Sequence, residues 1–156
     1  AVGSVNDDDG IPALDAWEAV APLTLARFGV RVAALELSSV ERYDPALDAW
    51  EAVVPMAAAR DYHAVAVLDG KLYAVSGEND DDGILSSVER YDPATNAWEA
   101  VAPMTTARAD LAAAELEGKL YAVGGERDDD GALSSVERYD PVLNAWEAVA
   151  PMAEER

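Results

Sequence analysis

Leu85 to Pro103 reads LSSVERYDPATNAWEAVAP, and Leu133 to Pro151 reads LSSVERYDPVLNAWEAVAP. The two stretches differ at only two of nineteen positions. A third copy, LSSVERYDPALDAWEAVVP, runs from Leu37 to Pro55, so Trp50, Trp98 and Trp146 stand 48 residues apart. Self-similarity at a fixed period is the signature of a repeat architecture, in which each unit buries its apolar face only against its neighbours.

One unit, read from Arg60 to Met104, predicts four short strands. His63 to Leu68 is apolar and rich in small and β-branched residues, and Asp69-Gly70 is a two-residue hairpin signal. Lys71 to Gly77 alternates toward a glycine end, and Glu78 to Gly83 is a polar, turn-rich loop. Leu85 to Asp92 alternates again, Pro93 to Asn96 breaks the pattern, and Ala97 to Val101 forms a last short run. Four strands joined by hairpins at this period describe one blade of a β-propeller, an all-β fold. Ala112 to Glu117 conflicts locally, because it is made of good helix formers. The repeat overrides it: the segment aligns with 63 to 68 and precedes the same Gly-Lys-Leu-Tyr-Ala-Val.

Tyr121-Ala122-Val123-Gly124-Gly125, then Ser134 with Val136-Glu137-Arg138-Tyr139-Asp140-Pro141, then Asn144-Ala145-Trp146 with Pro151-Met152, closely resemble kelch repeats. The resemblance covers nearly the whole chain. It implies propeller blades with strands A to D, A innermost, the glycine pair ending B, the tyrosine on C and the tryptophan on D. It also implies a protein-interaction platform, a role the family often plays as the substrate receptor of cullin-type ubiquitin ligase adaptors; that role would need an adaptor domain that these residues do not contain. The tryptophans and Tyr43, Tyr91 and Tyr139 read as wedge fillers between blades. Ser76 replaces the first glycine of its pair and is strained if the backbone there takes positive φ.

The N-terminal third breaks the pattern. Eight residues matching LSSVERYD are missing after Gly10, and Leu35-Glu36 runs straight into Leu37, without the fifteen residues that match Gly118 to Ala132. Trp17 and Trp50 are consequently 33 apart. Phe28 to Asp44 then forms one long bent strand or packs irregularly. The expected organisation is a single kelch-repeat domain over 1–156, with degenerate repeats in 1–44 and regular units at 45–104 and 105–152. This is a partial propeller, two intact four-stranded blades plus blade pieces. Propellers close with about 4 to 8 blades. The open arc implies a homodimer that completes a ring, a piece of a longer propeller, or an open duplicated or designed fragment.

Thirty-one acidic residues against eleven basic ones give a formal charge of −20. Such a surface repels nucleic-acid phosphates and anionic membranes. Cysteine is absent, so disulfides, thiolate nucleophiles and cysteine metal sites are excluded. The chain shows no apolar run long enough to span a membrane and no export signal, and the expected location is the cytoplasm.

Nothing in the residues assembles a catalytic set, and the chain is read as a non-enzyme without metal or cofactor. Ser86-Ser87 lies far from a histidine that could activate it. His63 is the only histidine and has no cysteine or second histidine with which to share zinc. Asn79 to Gly83 and Arg127 to Gly131 partly match calcium-loop spacing, with Glu89 and Glu137 six residues on. Those glutamates belong to strand-like runs, so the loops read as solvated hairpins.

What remains is a binding rim. By the resemblance, partners sit on the loops between strands B and C and between D and A. The candidate residues are Glu78, Asp80, Asp81 and Asp82 with Arg60 and Asp61, and Glu126, Arg127, Asp128, Asp129 and Asp130 with Arg108 and Asp110. Arg27-Phe28-Gly29 is the degenerate counterpart. Carboxylates dominate, so the expected partner is a protein or peptide rich in lysine and arginine. For Arg60 and Arg108 the favoured reading is that they brace the D–A turn through acidic neighbours. The alternative function is structural: a self-assembling unit whose exposed blade faces meet copies of itself.

Overall fold

A computed structural model describes residues 36–127 and 131–156. A short 3-10 turn, Glu36–Ser38, leads into strands β1 (Val40–Asp44) and β2 (Ala49–Val53), which pair antiparallel as half a blade. One full blade follows: β3 (Ala64–Leu68), β4 (Lys71–Val75), the two-residue β5 (Glu78–Asn79) and β6 (Gly83–Ile84), β7 (Val88–Asp92) and β8 (Ala97–Val101). The second blade repeats it with β9 (Ala112–Leu116), β10 (Lys119–Val123), β11 (Glu126–Arg127), β12 (Gly131–Ala132), β13 (Val136–Asp140) and β14 (Ala145–Val149). Both blades are four-stranded meanders, ordered β3-β4-β7-β8 and β9-β10-β13-β14.

The repeat prevails over local helix propensity at β9, where Ala112–Leu116 pairs along β10. At the hairpin between β3 and β4, Asp69 and Gly70 are both left-handed (φ 52° and 70°), the type I′ geometry that suits the sheet's twist. Two expected boundaries move. The strand expected to begin at Leu85 begins at Val88, because Leu85, Ser86 and Ser87 give their carbonyls to Arg108 N, Met104 N and Ser76 N instead of a regular ladder. Likewise, no single strand reaches Asp44 from Phe28, since the 3-10 turn interrupts the chain before β1; residues 28–35 lie outside the described part, as do the degenerate repeats before them.

Blades stack face to face, and strand parity decides which face each side chain joins. On β4, Tyr73 and Val75 point into a core shared with Leu120, Ala122 and Tyr139 of the second blade. Ala74, of opposite parity, packs with Val40 and Met56 of the half-blade. All three β4 residues are buried, which explains why this central strand carries apolar residues on both faces. The rings of Tyr73 and Tyr139 meet edge to face at 5.8 Å across the boundary.

Polar clamps close each boundary. Trp98 Nε1 donates to Val54 O (3.0 Å), and Trp146 Nε1 donates to Ala102 O (2.9 Å). Beside them Asn144 Oδ1 accepts from both Tyr139 OH (2.8 Å) and Ala102 N (3.0 Å), as Asn96 Oδ1 does from Tyr91 OH (2.9 Å) and Val54 N (3.4 Å). Each tryptophan therefore fills the wedge and also grips the end of the preceding blade's last strand.

The glycine pair has a steric reason. A Cβ on Gly77 would sit 2.4 Å from Asp61 O and one on Gly125 would sit 2.6 Å from Ala109 O, so the incoming D–A loop needs a bare backbone there. Ser76, the departure at the first position, holds φ 63° beside the 62° of Gly124. Its buried hydroxyl faces Leu85 O and Arg108 O and accepts from Arg108 N (3.3 Å). Those backbone groups already pair among themselves, Arg108 N with Leu85 O and Gly77 N with Arg108 O. Ser76→Gly should therefore relieve left-handed strain without orphaning a partner, raising stability by about 1 kcal/mol in urea denaturation; a loss of stability of that size would show that the hydroxyl outweighs the strain.

Candidate functional site

The rim is built where the D–A and B–C loops meet. Asp61 and Glu78 form an antiparallel bridge, each N–H donating to the other's carbonyl at 2.8 Å. Ala109 and Glu126 repeat it in the second blade. Asp110 N donates to Tyr62 O (2.9 Å), which ties the two blades' loops into one continuous edge. The B–C hairpin is shaped by Asn79, whose Oδ1 accepts from Asp81 N (3.0 Å) and Asp82 N (2.7 Å) while its Nδ2 donates to Ala59 O (3.1 Å).

The expected rim residues divide into two sets. Asp80, Asp81, Asp82, Asp110, Glu126 and Arg127 are exposed, and Asp61 and Glu78 are half-buried. Asp128, Asp129 and Asp130 lie outside the described residues. Among the described residues no three carboxylates gather into a group that could hold a metal ion.

Arg60 and Arg108 do not belong to a surface for partners, and this corrects their place among the binding residues. They are 2% and 0% exposed. Arg108 Nη1 donates to Gly124 O (2.8 Å) and Ser135 O (3.0 Å), and Nη2 to Ser135 Oγ (3.1 Å) and Glu137 Oε1 (3.0 Å). Arg60 repeats this on Ser76 O, Ser87 and Glu89. The carboxylates face the other way as well: Glu89 accepts from Ala57 N (2.8 Å) and Ala58 N (3.1 Å), and Glu137 accepts from Thr105 N (2.7 Å) and Thr106 N (3.0 Å). Each pair thus pins the D–A turn to strand C of the same blade. Burial lowers Arg108 from the ordinary guanidinium value, and Glu137 acts against that.

The residue that sequence reasoning left out of the binding set is Tyr62, counted only as part of its loop. It is 58% exposed, stands between Asp61 and His63, and holds a left-handed backbone (φ 48°). Asp110 holds the same left-handed backbone (φ 51°) in the second blade, so that conformation belongs to the D–A loop, and what sets Tyr62 apart is its exposed ring. The signal in the sequence was the exchange of Tyr62 for Asp110 between otherwise similar repeats.

A model of the kelch motif matches residues 59–105 and again 107–153, together more than half of the chain. The chain belongs to the kelch-repeat family. Its two four-stranded sheets are kelch-type propeller blades, and the half-blade is a piece of a third. A solved structure described as "Structure of YjhT" is similar, with TM-score 0.66 and 19% identity over 74% of this chain and 46% of that one. This kelch chain spans about half of that neighbour's length, and at such identity the likeness is one of fold. Comparison with curated proteins finds no match.

Two outcomes follow. Glu137→Ala leaves a buried guanidinium and two turn amides without their acceptor and should cost about 3–5 kcal/mol in urea denaturation; a cost below about 1 kcal/mol would mean the turn is held by other contacts. His63, half-buried in a crevice with Val40, Met56, Leu72 and Trp98, is pushed below its ordinary value of 6.5 by burial first and by the Arg60 charge second, with Asp61 opposing. The unfolded chain therefore binds the proton more readily, and stability falls as pH drops below about 6.5 until the folded value is reached. His63→Leu, the residue type that the second blade carries as Leu111, should lose less stability than the wild type between about pH 7.5 and about pH 5.5. Identical losses would remove His63 from the acid response.

Proposed function

We propose that this chain is a protein-binding module that holds a lysine- and arginine-rich segment along the rim formed by its D–A and B–C loops. Kelch repeats generally mediate protein–protein interaction, which supports binding over catalysis. The observation that carries the reading is the continuous edge: the Asp110–Tyr62 bond joins the loops of two blades, so carboxylates from both can act on one extended partner. Asp80, Asp81, Asp82, Asp110 and Glu126 supply the field, within a chain of net charge −20. Tyr62 supplies an exposed aromatic face on which a guanidinium or ammonium can rest. Charges of this kind raise the association rate and select the sign of the partner more than they add affinity. On this reading residues 1–156 act as one repeat domain, with a basic protein segment as partner in the cytoplasm.

The test is fluorescence anisotropy with a labelled Lys/Arg-rich peptide and an acidic peptide of equal length. The basic peptide should bind, and its affinity should fall as salt rises from about 20 mM to about 200 mM. The triple variant Asp80→Asn, Asp81→Asn, Asp82→Asn should weaken binding by roughly 3- to 150-fold, since exposed pairs contribute about 0.2–1 kcal/mol each. No preference for the basic peptide at low salt, or binding indifferent to the triple variant, would contradict the reading.

A further inference from the structure

Tyr62 and Asp110 occupy the same place in successive D–A loops, and one backbone hydrogen bond, from Asp110 N to Tyr62 O (2.9 Å), ties the two loops together. Both residues hold a left-handed backbone, φ 48° and 51°, so the two loops present them in the same way. The Tyr62 ring is 58% exposed, and no other described ring stacks on it. Asp110 is exposed, and among the described residues its carboxylate makes no hydrogen bond or ion pair. Asp61 differs: it is half-buried, and its Oδ1 accepts from Tyr62 N (2.9 Å), which commits it to the shape of its own loop. The arginines of these loops offer the pair no cation, because Arg60 and Arg108 are buried and turned onto Glu89 and Glu137. The first B–C loop carries more carboxylates, Asp80, Asp81 and Asp82, but no ring.

A ring and an uncommitted carboxylate on adjoining backbone tell the two cationic side chains apart. A guanidinium is flat and weakly hydrated, so it can lay its face on an aromatic ring while its edge forks onto a carboxylate. An ammonium is a compact, strongly hydrated point charge with no face to stack.

We propose that Tyr62 and Asp110 form an arginine-selective subsite of the rim, where one arginine of the partner rests on the Tyr62 ring and pairs with the Asp110 carboxylate. A lysine at that place is held by charge alone. The inference rests on the reading of the rim as the site for a basic segment, and it adds which cation that site selects. The carboxylates of the B–C hairpin accept either cation, so the selectivity belongs to the boundary between the blades. Tyr62 and Asp110 come from different blades, and the subsite exists only while the two blades are docked.

Fluorescence anisotropy with two labelled peptides of equal length and charge, one carrying only lysine and one only arginine, tests the subsite. The wild type should bind the arginine peptide about 3- to 10-fold more tightly. That ratio should survive at about 200 mM salt, where both affinities fall, because screening weakens the shared field more than a stacking contact. Tyr62→Asn, a residue that tolerates the left-handed backbone, should bring the two peptides within about twofold of each other. Tyr62→Phe should keep the preference, since the ring and not the hydroxyl carries it. Asp110→Asn should narrow the preference to about twofold, whereas Asp81→Asn, which removes the same charge from the hairpin, should weaken both peptides alike. Equal affinities in the wild type, a preference that survives both Tyr62→Asn and Asp110→Asn, or one lost as fully in Asp81→Asn would overturn the subsite and leave the rim reading standing. Failure of both peptides to bind would overturn the two together.

Discussion

Each blade depends on an arginine buried at the turn that leads into it. A guanidinium taken out of water is costly unless its donors are met, and a lone carboxylate opposite it is not enough. In this chain the fork meets a carboxylate, two carbonyls and a hydroxyl from strands B and C, while the carboxylate meets two amides of the turn. The backbone of the same residue rests on the preceding blade, with Arg108 N on Leu85 O and Gly77 N on Arg108 O. One residue therefore joins the sheet of its own blade to the loop region of the blade before it. Arg108 Nε is left without a partner, so the network is close to saturated but not complete.

From this constraint the surface sorts itself. Residues that serve the boundaries recur without change: Arg60 and Arg108, Glu89 and Glu137, Trp98 and Trp146. On the rim, Glu78 and Asp80 to Asp82 recur as Glu126 and Asp128 to Asp130, while three positions vary, Asn79 against Arg127, Asp61 against Ala109 and Tyr62 against Asp110. A position free to change while the scaffold does not is where a loop can carry recognition. The scaffold holds those loops by backbone bridges, Asp61 with Glu78 and Ala109 with Glu126, which do not depend on the side chains the loops display.

Much of the fold was legible because period, turn residues and strand parity agree. Asp69-Gly70 marked its hairpin, and the repeat correctly overruled the alanines of β9. The arginines stood among the rim candidates because charge and loop position alone place an arginine outside, but the brace that was their favoured reading is what folding makes, since its carbonyl and carboxylate partners make burial tolerable. A signal was nonetheless present, since arginine and its glutamate recur at one spacing, 29 residues apart in both intact blades. The start of strand C was also missed, because Leu85 to Ser87 alternate like a strand but give their carbonyls elsewhere, Leu85 and Ser86 to the next D–A segment and Ser87 to Ser76 at the end of strand B. That use of the backbone is tertiary and leaves no mark on the local pattern.

The central claim is that the arginine-anchored turn and the two blades unfold together. Native-state amide hydrogen exchange tests it most directly. The account predicts that the amides of Arg108, Gly77 and Asp110 exchange only with the global opening that also releases Val75 and Leu120. Exchange of those turn amides as fast as that of Ala94 and Thr95 in the exposed C–D turn, with Val75 and Leu120 still protected, would contradict it.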